Sequence, residues 1–336
     1  MVKIRAGCYS SFLPMLTQLL RPASFAIACL AVIACASPPA STVAGLGTVP
    51  PLLASVRPLT TSSPTVIVSD ASQNDVVICG PGSPCNQCKT IGSGLLLPQG
   101  LTTNGGGGAG GRANSILAYV ADSGNQRVVV FTDTCKTVRV LNDSGYFPSD
   151  VAVAHDGTVA VTNLCAAPSC TGAGNIAFYP PGSSYASRVA TGLMTQYYYG
   201  DFDKHGNFYN DGLSGSTVEV GVVPPDSSKD KAAGISGIKF PGGIQVARNG
   251  TINIDDQDCA CIQIYKGRHH IGTVSLPGVA KPVTFALDKT NKYLWVTDES
   301  AKTVDELPYP AGGEILYQYG GFYEPVGVGV IPPDSP

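Results

Sequence analysis

Six acidic or amide residues recur along the chain, each at the end of a short apolar segment. They are Asp70, Asp122, Asn163, Asp211, Asp256 and Asp298, separated by 52, 41, 48, 45 and 42 residues. A ring of carboxylate and amide oxygens could bind a divalent cation. Alternatively, each residue could accept backbone N–H bonds inside its own tight turn. A repeat produces such turn caps without any ligand, so we interpret the six residues first as structural.

The segments around these residues repeat as well. In the clearest copy, residues 147–153 lead through the turn His155-Asp156-Gly157 to residues 159–163, and similar copies begin at residues 240 and 281. Further apolar segments follow each copy at a period typical of one four-stranded propeller blade. We therefore predict an all-β fold, a six-bladed β-propeller of four-stranded antiparallel blades.

The two ends of the repeat region predict how the ring closes. Residues 65–70 align with the second strand of a blade, and residues 325–330 form an inner strand with no following partners. If the last strand joins the first blade, an open sheet edge is paired. We expect an antiparallel ladder between residues around Val328 and residues around Ile67.

The fourth unit departs from the pattern. Tyr197 stands where the other units have Pro, and Asp211 falls one residue early, with Gly212 at the matching position. A slip of one residue turns a side chain to the other face of a strand. Asp211 is therefore expected to lie outside the ring that its counterparts form.

The first 64 residues predict export. Residues 1–35 carry Lys3 and Arg5 before a short apolar run, which is typical of a signal peptide and too short to span a bilayer. The run ends at Cys35 in a segment that resembles the lipobox of bacterial lipoproteins, and an ordinary cleavage site leading to soluble secretion is the alternative. Residues 36–64, rich in Ala, Ser, Thr and Pro, predict a disordered tether, which leaves 65–336 for the propeller. The predicted location is extracytoplasmic, either lipid-anchored in a bacterial cell envelope or secreted.

Eight cysteines follow Cys35, an even number that predicts disulfides in an exported chain. We expect Cys165 and Cys170 to be bonded, because they lie at the two ends of one hairpin connection. Three pairings of Cys79, Cys85, Cys88 and Cys135 stay open, as does a bond between Cys259 and Cys261. The alternative for Cys85 and Cys88 is a zinc site, since their spacing suits one.

Aromatic residues gather where one unit leads into the next. If a ligand site exists, we expect it at the mouth of the central channel, because Tyr combines an apolar ring with a polar tip. The residues predicted to frame it are Tyr146, Tyr198 and Tyr323, with Asp122, Asn163 and Asp256 nearby. An unknown small molecule, glycan or protein would suit it, and packing between blades is the alternative role of the aromatics. The pI near 5.8 argues against nucleic acid, and the membrane is expected as a partner only through lipid on Cys35.

Residues 119–131, with the sequence YVADSGNQRVVVF, are similar to the NHL repeat, and the resemblance extends over about residues 65–331. It implies a propeller related to gluconolactonase/regucalcin-like proteins and streptogramin lyases, some of which hold a divalent metal on the axis. No catalytic or metal-binding residue of those families matches this chain, and His155 and His205 are expected away from the axial mouth. The sequence thus favours a non-catalytic binding module without a cofactor. The alternative is a metal-dependent hydrolase or lyase with a divalent metal on the axis.

Overall fold

The computed structural model describes residues 63–80, 85–103 and 117–332, and these form an all-β propeller. Within them, 24 strands make six four-stranded antiparallel sheets, the blades. Two short 3-10 helices, Ile91–Ser93 and Ser123–Asn125, interrupt the connections of the first two blades. In this described part, no helix has the length and apolar character needed to cross a membrane.

The first three blades are built as follows, from the innermost strand of each blade outwards. Blade 1 contains β24 (Pro325–Ile331), β1 (Thr65–Asp70), β2 (Asp75–Cys79) and β3 (Asn86–Gln87). Blade 2 contains β4 (Pro98–Thr103), β5 (Leu117–Asp122), β6 (Arg127–Thr132) and β7 (Thr137–Asn142). Blade 3 contains β8 (Tyr146–Val153), β9 (Val159–Ala166), β10 (Gly172–Tyr179) and β11 (Arg188–Ala190).

The remaining blades follow the same order. Blade 4 contains β12 (Gln196–Phe202), β13 (Phe208–Ser214), β14 (Thr217–Val223) and β15 (Lys231–Ala232). Blade 5 contains β16 (Pro241–Val246), β17 (Thr251–Asp256), β18 (Cys261–Lys266) and β19 (His269–Ser275). Blade 6 contains β20 (Pro282–Leu287), β21 (Tyr293–Asp298), β22 (Thr303–Pro308) and β23 (Tyr317–Gly320).

The core lies between neighbouring blades. Every residue of β20 is buried, although a strand with one wet face would alternate buried and exposed positions. Trp295 of blade 6 is fully buried, stacks on Tyr319 with ring centroids 5.6 Å apart, and belongs to one apolar cluster with Val68 and Val328 of blade 1. Continuous apolar strands therefore reflect blades that are covered on both faces.

One register is common to five blades. A proline within the first three residues of the inner strand pairs with the repeated acidic or amide residue of the second strand, and a β-bulge follows. The pairs are Pro325 with Asp70, Pro98 with Asp122, Pro148 with Asn163, Pro241 with Asp256 and Pro282 with Asp298. In blade 4, Tyr197 pairs with Gly212. The prediction that Asp211 leaves the ring is therefore confirmed.

The predicted ring closure is also confirmed. β24 pairs antiparallel with β1, with Val328 opposite Val68 and Gly329 opposite Ile67. The first and last strands of the propeller thus complete blade 1 together.

Four disulfides join all eight cysteines of the propeller. The bonds are Cys79–Cys85, Cys88–Cys135, Cys165–Cys170 and Cys259–Cys261. The predicted bond between Cys165 and Cys170 is present, and the Cys88–Cys135 bond links blade 1 to blade 2. Residues 1–62 lie outside the described residues, so the signal peptide, Cys35 and nearly all of the tether stay predictions.

Candidate functional site

The repeated acidic residues at the strand ends hold the chain that enters each blade. In blade 5, the Asp256 carboxylate accepts the N–H groups of Lys239 and Phe240, both at 3.1 Å, just before β16 begins. In blade 6, Asp298 accepts the N–H groups of Ala280 at 2.6 Å and Lys281 at 3.2 Å before β20. Asp298 also accepts the N–H of Ser300 in its own turn, as the structural interpretation predicted.

Asp122 has the same role and a charged partner. Its carboxylate accepts the Leu96 N–H at 2.7 Å and the Arg127 Nε–H at 2.7 Å. The same guanidinium donates to the carbonyl oxygens of Gly92 and Gly94. Asp122 is buried, so its charge is used to hold the loop that leads into blade 2.

The six residues predicted to frame a ligand site differ widely in exposure. Tyr323 exposes 59% of its surface and Tyr146 is half-buried, but Tyr198 is buried. Asp122, Asn163 and Asp256 are all buried, and Asn163 donates its amide to Asn175 at 2.8 Å. None of the six residues lines the axial cavity or either of the two grooves between blades 3, 4 and 5. A ligand site at this rim stays a prediction, with Tyr323 as its most accessible member.

The axial channel is narrow and polar. Its cavity has a volume of about 70 Å³ and is lined by the inner strands, including Asp150, Asp201 and Gln245. Asp201 accepts the Val246 N–H at 2.9 Å, and Gln245 accepts the Leu287 N–H at 2.7 Å. These side chains satisfy backbone groups on the free inner edges of the next blade. Small-molecule sites have volumes of roughly 300–1,000 Å³, so this cavity holds water-sized occupants.

Three carboxyl groups are buried on one side of the channel, in blades 3 to 5. Burial raises the pKa of Asp150 to about 8 and raises the pKa values of Asp211 and Asp255 well above their ordinary range. Among the described residues, neither carboxyl oxygen of Asp255 has a hydrogen-bond partner. Gly242 makes room for Asp255, since a Cβ on Gly242 would lie 2.7 Å from its Oδ2 atom. Burial therefore favours the protonated form of these three carboxyl groups.

Asp211 and Asp255 occupy the position just before the repeated acidic or amide position, which blades 1, 3 and 6 fill with a hydroxyl residue and blade 2 fills with Ala121. At that position the hydroxyl side chain donates to the inner strand of the next blade. The bonds are Ser69 to the Gln99 carbonyl at 2.5 Å, Thr162 to the Tyr198 carbonyl at 2.8 Å and Thr297 to the Val326 carbonyl at 3.2 Å. An ionised carboxylate has no proton to donate, whereas a protonated one has.

The axial residues do not form the metal centre that the NHL-like resemblance implies for some relatives. The oxygens of Asp201 accept the N–H groups of Phe202 and Val246, and Asp150 accepts the Gly200 N–H at 3.2 Å. In the part of the chain that the structure describes, no three His, Cys, Asp or Glu side chains are placed to hold one metal ion. The donor set therefore does not fit a divalent metal held by three such ligands.

Two grooves open on the face opposite the strand-end caps. The larger, about 490 Å³, lies between blades 3 and 4 and is lined by His155 and His205. The smaller, about 190 Å³, lies between blades 4 and 5 and is lined by Lys204, His205 and Lys266. The sequence predicted that His155 and His205 lie away from the axial mouth, but not that they share a groove. They come from separate blades, so only the repeat register could have indicated that their turns are neighbours.

Comparisons with known proteins show the fold only. No protein-family model matches the chain, and no curated protein matches it. Among solved structures, 1071 chains match, so the fold is common. One is a chain in the crystal structure of a Nidogen/Laminin complex, with 12% sequence identity and a TM-score of 0.59 over 80% of this chain and 98% of that chain. A fold shared so widely does not identify a function.

Proposed function

We propose that this protein is an exported, lipid-anchored β-propeller that binds a ligand or partner protein outside the cytoplasm. The observation that carries the proposal is the set of four disulfides, which include every cysteine of the propeller. Disulfides persist in oxidising compartments and are rare in the cytosol. The predicted signal peptide and the lipobox-like segment at Cys35 agree with this location.

The lipid anchor is tested by the mass of the mature chain. Intact-mass measurement on membrane-extracted protein should give a chain that begins at an acylated Cys35. A Cys35→Ser variant should leave the membrane fraction, whereas Cys29→Ser, a matched change in the same apolar run, should stay there. A soluble wild-type chain that begins at Ser37 would leave ordinary secretion instead.

Binding in this proposal takes place at a surface, because the axial cavity of about 70 Å³ is too small for a metabolite. At the predicted rim, Tyr323 is the exposed aromatic, and the Lys302 ammonium lies 5.6 Å from its ring centroid. Such a Tyr and Lys pair suits a polar ligand with a flat face. If the rim is the site, Tyr323→Ala should abolish retention on a ligand screen, whereas Tyr185→Ala, which changes a tyrosine of blade 3 that is 69% exposed, should not.

The second candidate is a metal-dependent hydrolase or lyase, for which the described channel wall offers only the axial carboxyl groups of Asp150 and Asp201 as acidic oxygen ligands. Metal analysis of the purified chain distinguishes the two functions. A stoichiometric divalent ion that is lost in an Asp150→Asn variant would overturn the binding-only proposal. Protein without bound metal that still captures its ligand would support it.

A further inference from the structure

The groove between blades 4 and 5 collects basic side chains from three separate turns. Lys204 comes from the turn after β12, Arg248 from the turn after β16, and Lys266 from the end of β18. His205 adds an imidazole from the same turn as Lys204. These residues are exposed around a volume of about 190 Å³. Lys204 and Lys266 bring two ammonium groups to this space, and like charges repel one another unless an anion lies between them.

The acidic side chain of this groove, Asp203, accepts hydrogen bonds from groups of its own turn. Asp203 is the one carboxylate among the described lining residues. It accepts the N–H groups of His205 at 2.8 Å and Asn207 at 2.9 Å, and the side-chain amide of Asn207 at 2.8 Å. Its oxygens therefore face the turn, and the groove keeps a net positive charge.

Lys266 is fixed over the groove. Its ammonium donates to the Asn249 carbonyl, which uses one of three available protons. Gly250 makes room for it, because a Cβ at that position would lie 3.2 Å from the Lys266 Nζ atom. Gly250 has a φ of +77°, in the left-handed region that favours glycine. The turn thus places a lysine with two remaining donors at the groove.

The larger groove continues on the other side of the same turn. Asp203, Lys204 and His205 line both spaces. The larger one, about 490 Å³, has exposed proline walls at Pro180 and Pro225. A ligand that crosses the turn would meet lysines in the small groove and a mixed surface in the large one, where Asp156, Arg188 and Asp226 lie beside the prolines.

We propose that the two grooves form a binding site for a small organic anion, with a carboxylate or phosphate group in the small groove and the rest of the ligand over the large one. The anion accepts hydrogen bonds from Lys204 and Lys266, which are charge-assisted and stronger than neutral ones. This site is separate from the Tyr323 rim and does not depend on export or a lipid anchor.

Three related sugars test the charge requirement on the purified propeller. Glucose 6-phosphate and glucuronate carry a phosphate and a carboxylate, and glucose carries neither. Titration by NMR should shift resonances of the small groove with the two anionic sugars and not with glucose. Inorganic phosphate should bind the same groove more weakly than glucose 6-phosphate, because it leaves the large groove empty. Affinity should fall as salt is added.

Matched lysine variants locate the site. Lys204→Gln and Lys266→Gln should each lower the affinity for the anionic sugars by roughly tenfold or more, because each variant loses one charge-assisted hydrogen bond. Lys136→Gln removes the same charge from an exposed hairpin turn of blade 2 and should leave affinity unchanged. All three positions are exposed, so wild-type melting temperatures should confirm that the variants fold.

Three outcomes would overturn the proposal. One is the absence of binding by every anionic probe at millimolar concentration. Another is equal weakening by Lys136→Gln, which would indicate attraction to overall charge. The third is equal affinity for inorganic phosphate and glucose 6-phosphate, which would remove the large groove from the site. None of them bears on the lipid anchor at Cys35.

Discussion

Asp150 shows how a single residue depends on its neighbours in other blades. Its carboxyl group lies in the wall of the channel, where Gly200 of blade 4 donates to it at 3.2 Å. On the other side stands Gly100 of blade 2, whose Cβ, if present, would lie 2.1 Å from Asp150 Oδ1. Because any side chain at position 100 would displace the carboxyl group, three blades together create this site.

The raised pKa of Asp150 predicts a pH-dependent stability. An unfolded Asp ionises near pH 3.8, whereas the folded group keeps its proton up to a pKa of about 8. The folded state therefore binds more protons in this window, and the free energy of unfolding should fall as pH rises through it, by about 1.4 kcal/mol per pH unit for each such group. Denaturant unfolding at pH 5, 6.5 and 8 should show the decline.

An Asp150→Asn variant should flatten that decline between pH 6.5 and 8, since the amide does not ionise and can still accept from Gly200. Asp156→Asn is the matched control, because Asp156 is exposed and only accepts the Thr158 N–H in its turn at 2.8 Å. An unchanged slope in Asp150→Asn would show that Asp150 does not hold its proton in the folded chain.

At the scale of the strand, the residue before the strand end connects neighbouring blades. Thr297 accepts the Thr284 N–H at 3.1 Å from its own inner strand and donates to Val326 of the next blade at 3.2 Å. Asp255 holds the equivalent position in blade 5, but its oxygens have no partner among the described residues. A threonine there would supply the hydroxyl without a titratable group, and it suits a strand.

We therefore predict that Asp255→Thr stabilises the propeller at pH 8 by about 1–3 kcal/mol, the usual cost of an unsatisfied buried polar group. Denaturant unfolding measures the gain, which should shrink at pH 5, because protonating the carboxyl group on folding costs less free energy there. Asp255→Val has the shape of threonine without the hydroxyl and should gain less. Destabilisation by threonine at both pH values would show that the carboxyl group itself is required.

Sequence reasoning predicted features that recur at a constant position and missed those that depend on two blades. The register of Asp211 and the closing strand followed from the repeat alone. The repeat could not predict the burial of Asp255, because the space for its side chain depends on the missing Cβ of Gly242, in the bulge of the facing strand. The Cys88–Cys135 bond spans 47 residues and two blades, so spacing left three pairings open. The larger groove, lined by His155 and His205, was missed for the same reason, since its walls come from different repeats.

At the scale of the whole molecule, the ring is closed in blade 1, and both strand pairing and side-chain hydrogen bonds hold this closure together. β24 pairs with β1 along five registered positions. The Asp70 carboxylate accepts the N–H groups of Tyr323 at 2.7 Å and Glu324 at 3.0 Å. The hydroxyl of Ser69 accepts the Gly327 N–H at 2.8 Å. Residues more than 250 positions apart in the chain are thus joined by backbone and side-chain bonds.

This closure predicts that loss of the last strand unfolds the entire propeller. Deleting residues 325–336 removes Val326, Val328, Val330 and Ile331, all of them buried. At about 1.5–3 kcal/mol for each buried aliphatic side chain, the loss is comparable to a total stability of roughly 5–15 kcal/mol. It also exposes β1 as an open sheet edge that favours aggregation.

Circular dichroism and size-exclusion chromatography should find an unfolded or aggregated chain, whereas a chain ending at residue 332 keeps β24 and should melt like the wild type. A chain ending at residue 324 that melts at the wild-type temperature would show that the other five blades hold the ring without the closing strand.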